Sequence, residues 1–158
     1  MLKARYPNIF VSGTSRNLAK EKQMKDVGYD EVIVDEKGQL KTNKKFTKIL
    51  ELIGPKTVKD SFKHTQEGGI VCSTGQLGNQ WYLEDFDPII DIAPNSYLTS
   101  FYSDNVDNLK INQMLEYIEK YHVDCKPEKV FDLKHTADAH RYLESKHSFG
   151  KVVVVEDN

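Results

Sequence analysis

The chain has 158 residues, 39% of them hydrophobic and 29% charged, with a formal net charge of −2. That size suits one ordinary domain with a substantial core, and near-neutrality excludes a general attraction to nucleic acid or an anionic membrane. No apolar run approaches the about 20 residues that span a bilayer, and MLKARYPNIF lacks the apolar core and small-residue cleavage site of a secretion signal, so a cytoplasmic location is expected.

Ile9 to Ser12 reads as a short strand ending in the polar turn GTSRN. Asn17 suits the N-cap of a helix from Leu18 to about Val27, which Gly28 stops. Glu31 to Val34 is the next strand, followed by a polar turn around Asp35 to Gln39. The dispersed lysines cluster most tightly at Lys41, Lys44, Lys45 and Lys48, with acidic residues on both sides, the pattern of a solvated face. Ile49 to Ile53 is an apolar strand closed by Gly54-Pro55. Thr57 to Thr65 reads as a helix with Gly68-Gly69 as its exit. Ile70 to Ser73 is then a buried strand with Cys72 as a small hydrophobe. Gln76 to Ser96 lacks periodicity. Tyr97 to Tyr102 resumes as a β-run. Asn105 to Tyr121 is the most regular helix, with Leu109, Met114, Leu115, Ile118 and Tyr121 mostly on one face. A strand over Lys129 to Leu133, a helix over Thr136 to Leu143 and a closing strand over Gly150 to Val155 complete the chain.

Apolar strands alternating with helices at short spacing predict an α/β fold, a doubly wound, mostly parallel Rossmann-like sheet. In such a sheet the end of the second strand faces the adenosine ribose. A carboxylate there takes the 2′-hydroxyl of NAD, whereas a basic residue accepts the 2′-phosphate of NADP. Here the strand ends Gly13-Thr14-Ser15-Arg16-Asn17, with no carboxylate. Ser15 offers a hydroxyl and Arg16 a guanidinium fork, and Lys20 follows one turn on. The same residues also read as an ordinary solvated turn. Arg16 stands where a nucleotide-dependent methyl transferase would carry an acid, which argues against that activity.

The stretches TSRNLAKEKQMKDVGYDEVI, ILELIGPKTVKDSFKHTQEGGIVCSTGQLGNQW, YLTSFYSDN and VFDLKHTADAHRYLESKHSFGKVVVV occur in the order and spacing of one family. With them the chain resembles the medium-chain dehydrogenase/reductase superfamily, in its quinone-oxidoreductase-like branch, often labelled zinc-binding dehydrogenases. The resemblance implies an NADPH-dependent reductase of quinones, enones or related small carbonyl compounds. It places Ser15, Arg16 and Lys20 at the 2′-phosphate, Gly54 against the cofactor after the fourth family strand, Gly75 nearer the nicotinamide ribose and Phe101 near the nicotinamide. It names no catalytic residue here.

Complete members begin with a barrel-like substrate domain, then a first Rossmann strand and a glycine-rich pyrophosphate turn. MLKARYPN resembles the tail of the helix after that turn. The expectation is therefore a C-terminal part of such an enzyme, binding cofactor but inactive alone. Residues 1–122 would form a partial NAD(P)-binding domain, and 123–158 a segment that in complete members returns to the GroES-like domain. A non-catalytic remnant acting as a binding or dimerisation module is the competing expectation. Family members also pair their last Rossmann strands across a two-fold axis, so a homodimer through Tyr97 to Tyr102 is expected. Zinc is not expected: His64, His122, His135, His140 and His147 are scattered and Cys72 and Cys125 lie far apart. A Cys72–His64 nucleophilic pair is disfavoured, because the strand pattern buries the thiol.

Overall fold

The computed structural model describes residues 1–145 and 148–156. It is a mixed α/β fold of the Rossmann type with mostly parallel sheets. After a single turn of helix, α1 (Leu2–Arg5), the first strand is β1 (Ser12–Ser15). The expected strand at Ile9 to Ser12 is thus displaced toward the polar turn. The reason lies in its pairing: Ser12 to Ser15 run parallel to Glu31 to Val34 in β2 (Glu31–Glu36), residue for residue. Polar residues occupy this strand because its backbone, not an apolar face, makes the contact. At Gly13 the absent side chain matters, since a Cβ there would lie 2.4 Å from the Met24 side chain.

Asn17 does cap the following turn, its side-chain oxygen accepting from the Ala19 N–H at 3.0 Å. The single helix expected over Leu18 to Val27 is instead a 3₁₀ turn (Leu18–Lys20) leading into α2 (Glu21–Asp26). Gly28 ends it at φ +105°. At the far end of β2, Lys37 and Gly38 both take positive φ, the requirement of the tight turn that suits a right-twisted hairpin. The Asp35 carboxylate accepts from the Gly38 N–H at 2.6 Å. The result is an antiparallel strand that the pattern does not announce, β3 (Gln39–Leu40).

The second sheet is fully parallel: β4 (Phe46–Glu51), β5 (Thr65–Ser73) and β6 (Tyr97–Ser100), with β5 in the middle. The crossover helix α3 (Val58–Lys63) lies on it, and Val58, Phe62 and Val71 form the core with Ile49, Leu83, Ile92 and Ala93 packed around them. Gly68-Gly69 is not a helix exit but part of β5. Register slips there, from Phe46 opposite Thr65 to Lys48 opposite Ile70, so the intervening residues bulge. Cys72 on β5 is half-buried rather than buried, with Sγ 3.5 Å from the Thr74 hydroxyl.

In the strand order 3-2-1-4-5-6, β2-β1 and β4-β5-β6 correspond to the two flanks. Among the described residues no strand is hydrogen-bonded between β1 and β4. Side chains connect the flanks instead. The Leu40 N–H donates to Asp60 of α3 at 2.9 Å, and His64 Nδ1 lies 3.2 Å from the Lys44 carbonyl. Lys44 in turn pairs with Glu31 at 2.5 Å.

Beyond β6, a short α4 (Pro88–Asp91) having interrupted the irregular stretch before it, comes α5 (Asn108–Lys120). It forms as its periodicity predicts, capped by Asp107 on the Lys110 N–H at 2.8 Å. Its apolar residues are nonetheless exposed: Leu109 64%, Met114 48%, Leu115 53%. A third, two-stranded parallel sheet joins β7 (Lys129–Asp132) to β8 (Val152–Val155), with α6 (Thr136–Glu144) as crossover. No helix among the described residues is long and apolar enough to cross a membrane.

Glu128 anchors that last unit. Its carboxylate accepts from the Gly150 N–H at 2.6 Å, the Phe149 N–H at 2.7 Å and the Tyr142 hydroxyl at 2.8 Å. These bonds, that of Gly150 first, hold its pKa below the ordinary glutamate value, and the same carboxylate raises that of Tyr142. A depressed carboxyl pKa contributes stability that is complete above the unfolded-state value and is lost as pH falls through the folded one. The Phe149–Gly150 turn should therefore release only in acid. Following the Gly150 amide by NMR from about pH 7 to about pH 3 should show a transition below the ordinary value near 4.3. Glu128→Gln should abolish that transition. A wild-type transition at or above the ordinary value would contradict the assignment.

Candidate functional site

Two features lie at or just past the C-terminal ends of the parallel strands, where open α/β sheets place their ligands. The first follows β1. Ser15 ends the strand, and its hydroxyl donates to the Asn17 carbonyl at 2.5 Å, closing a tight turn. Asn17 then starts the 3₁₀ turn, which brings Lys20 back over the strand end. Ser15, Arg16, Asn17 and Lys20 together line a cavity of about 280 Å³. The three residues proposed from sequence for a phosphate are thus in one place, and Asn17 joins them. Arg16 is exposed and enters no ion pair among the described residues. The Lys20 ammonium donates to the Ser148 carbonyl at 2.5 Å, tying this site to the last unit of the chain. A guanidinium and an ammonium around an open cavity suit a phosphate monoester dianion.

The second feature lies beyond β4 and β5. Gly54 has φ +88°, a left-handed conformation that other residues adopt only with strain. A Cβ on Gly54 would stand 2.7 Å from the Gly75 carbonyl oxygen, and one on Gly75 would stand 2.5 Å from the Leu52 carbonyl oxygen. The turns after the two strands therefore touch backbone to backbone, and the two glycines permit it. Four N–H···O bonds continue the pairing past the strand ends: Thr74 to Glu51 at 2.8 Å, Gly75 to Glu51 at 3.3 Å, Leu77 to Leu52 at 3.1 Å and Gly78 to Ile53 at 2.9 Å. Phe101 follows β6; its N–H bonds the Ser73 carbonyl at 3.0 Å and its ring is exposed.

Beside these glycines lies a cluster that the sequence pattern does not single out. Glu51 is 5% exposed. One carboxylate oxygen accepts from the N–H groups of Ile53 at 2.7 Å and Gly54 at 3.1 Å. The other accepts from the hydroxyls of Thr57 at 2.9 Å and Ser61 at 2.7 Å. Its signal in the sequence is a lone glutamate inside the apolar run ILELIG. A cavity of about 580 Å³, lined by Val58, Leu83, Phe86 and Leu98 together with Ser73 and Thr99, opens nearby. Its walls suit an apolar ring better than a charged group.

Comparison with known proteins gives a consistent family. The zinc-binding dehydrogenase family model matches residues 27–154. No curated protein sequence matches significantly. Among solved structures, 2-haloacrylate reductase superposes with a TM-score of 0.73 at 14% identity, covering 98% of this chain and 52% of that one. The yhdH oxidoreductase from Salmonella enterica, solved in complex with NADP, gives a TM-score of 0.69 at 14% identity, covering 93% and 47%. The quinone oxidoreductase from Coxiella burnetii gives 0.67 at 17% identity, covering 92% and 44%. At such identities the likeness establishes the fold. The chain spans about half the length of the structures it matches, or less.

The zinc in the family description finds no fitting donor set. Among the described residues no group of three or more His, Cys, Asp or Glu is placed to hold a metal ion. His64 lies between Asp60 and the Lys44 carbonyl, and His135 bonds Asp132 at 2.5 Å. His147 lies outside the described residues.

Proposed function

Because the chain belongs to the zinc-binding dehydrogenase family, we propose that it is the cofactor-binding C-terminal part of an NADPH-dependent oxidoreductase acting on quinones, enones or related carbonyl compounds. The observation that carries this reading is the cavity beyond β1, where Ser15, Arg16 and Lys20 converge with no carboxylate among them. Support comes from the NADP complex of the Salmonella enterica oxidoreductase and from the quinone oxidoreductase of like fold. In this reading the 2′-phosphate takes the guanidinium of Arg16, the hydroxyl of Ser15 and the ammonium of Lys20. Lys20 exchanges the Ser148 carbonyl for the phosphate. Gly54, Gly75 and Phe101 would hold the rest of the dinucleotide, whose nicotinamide would supply a hydride to the substrate carbonyl or enone, with a proton from solvent completing the reduction.

Held on this chain alone, the cofactor is bound but not brought to reacting distance from a substrate. Positioning of that kind supplies much of an enzyme's acceleration, so the chain by itself is read as having no appreciable turnover. A second reading, a non-catalytic dimerisation module, is favoured by the surface around β6. All four residues of that strand are exposed, and Tyr102 beyond it is 75% exposed. A β-rich edge without Pro, Gly or charge is a template for pairing with a second copy. The two readings are compatible in one homodimer joined through Tyr97 to Tyr102.

Calorimetry decides the cofactor reading. Arg16→Ala should weaken NADPH by about 1.5–3 kcal/mol, the range for a bond to a charged group, and leave NADH nearly unchanged. Equal loss for both cofactors, or none, would remove the assignment. Light scattering after size exclusion decides the assembly. The wild type should run as a dimer and Leu98→Pro as a monomer: the Phe101 N–H faces β5, so by strand alternation the Leu98 N–H faces the open edge, and proline removes that donor. A wild type monomeric at high concentration would rule out the pairing, whereas one that dimerises without binding NADPH would select the second reading.

A further inference from the structure

We propose that Glu51 is the positioning residue for the dinucleotide crossing, acting through the two turns that carry Gly54 and Gly75. The inference rests on the NADPH reading above. Its side chain holds the first turn through the N–H groups of Ile53 and Gly54, and holds the start of α3 through the hydroxyls of Thr57 and Ser61. Its main-chain carbonyl holds the second turn through the N–H groups of Thr74 and Gly75. One residue thus fixes, in two directions, the backbone on both sides of the contact between the glycines.

A buried carboxylate with no ion-pair partner among the described residues is an expensive way to fill a strand position, and an apolar side chain of similar volume would desolvate at far less cost. What an apolar side chain cannot do is accept. The left-handed turn at Gly54 aims two N–H groups inward, and a carboxylate on the strand just before them satisfies both. It is therefore the shape of this turn, rather than core stability, that requires an acceptor at residue 51. A glutamine meets the same need: its amide oxygen takes the two N–H groups and its NH₂ donates to the hydroxyls of Thr57 and Ser61, which can accept as well as donate. A leucine meets none of it.

The test compares two ligands on the 158-residue chain. NADPH spans both the basic cavity and the glycine turns, whereas 2′,5′-ADP carries only the phosphorylated adenosine half. By calorimetry, Glu51→Leu should weaken NADPH about tenfold or more while 2′,5′-ADP stays within about twofold of wild type; Glu51→Gln should keep both within about threefold. Loss of both ligands in equal proportion would mean that Glu51 merely supports the fold, and loss of neither would mean that the turns do not touch the cofactor. Either result overturns the inference. Should circular dichroism find Glu51→Leu unfolded, Thr57→Val carries the test: about threefold loss of NADPH alone is expected, and no loss overturns it. Arg16→Ala separates this from failure of the cofactor reading, because it should weaken both ligands. A wild type that binds neither ligand removes that reading and this inference together.

Discussion

The buried carboxylate of Glu51 constrains the arrangement on which the rest depends. A carboxylate at 5% exposure persists in a protein interior when enough donors replace its water. Four do so here, two from the backbone just after β4 and two from the hydroxyls at the start of α3. Because those donors sit on different elements, the exit of β4, the start of α3 and the close approach of the next turn are set together. Val58 and Phe62 of the core follow Thr57 and Ser61 in sequence on the same helix. Apolar burial holds α3 on the sheet, and the polar junction decides where along the sheet the helix begins.

The basic cavity depends on a second constraint, the pairing of β1 with β2. Ser12 to Ser15 bury little apolar surface, and their position comes from backbone bonds to Glu31 through Val34. That pairing puts Ser15 at the strand end and Arg16 just past it, and the Asn17 cap returns Lys20 to the same side. The two flanks of the fold are tied by exposed and half-buried polar contacts, Leu40 to Asp60 and Lys44 to Glu31. Exposed ion pairs contribute little, commonly under about 1 kcal/mol. The relation between the flanks is therefore held more weakly than either flank internally, and a dinucleotide contacting both would add to it by linkage.

Much of this was legible in the sequence where chemistry is local. The Asn17 cap, the Gly28 stop, α5 and the β7–α6–β8 unit follow from short-range rules and form close to where those rules place them. The cluster of Ser15, Arg16 and Lys20 was legible for the same reason, since one strand end and one turn of helix bring it together. What was not legible depended on partners distant in sequence. The shift of β1 into GTS is imposed by β2, and the bulge at Gly68-Gly69 by β4. The role of Glu51 needed donors from residues up to 61, and the contact between Gly54 and Gly75 needed two strands side by side. The exposure of α5 was equally hidden: periodicity reports an apolar face but not whether anything covers it.

The central claim is that the turn after β1 reads the 2′-phosphate of NADPH. A crystal structure of the chain grown with NADP⁺ tests it most directly. The account predicts the 2′-phosphate within hydrogen-bond reach of Arg16 and Lys20, with Lys20 released from the Ser148 carbonyl and the dinucleotide running past the Gly54–Gly75 contact. NADP⁺ bound with its 2′-phosphate away from both cations, or no NADP⁺ bound at saturating concentration, would contradict it.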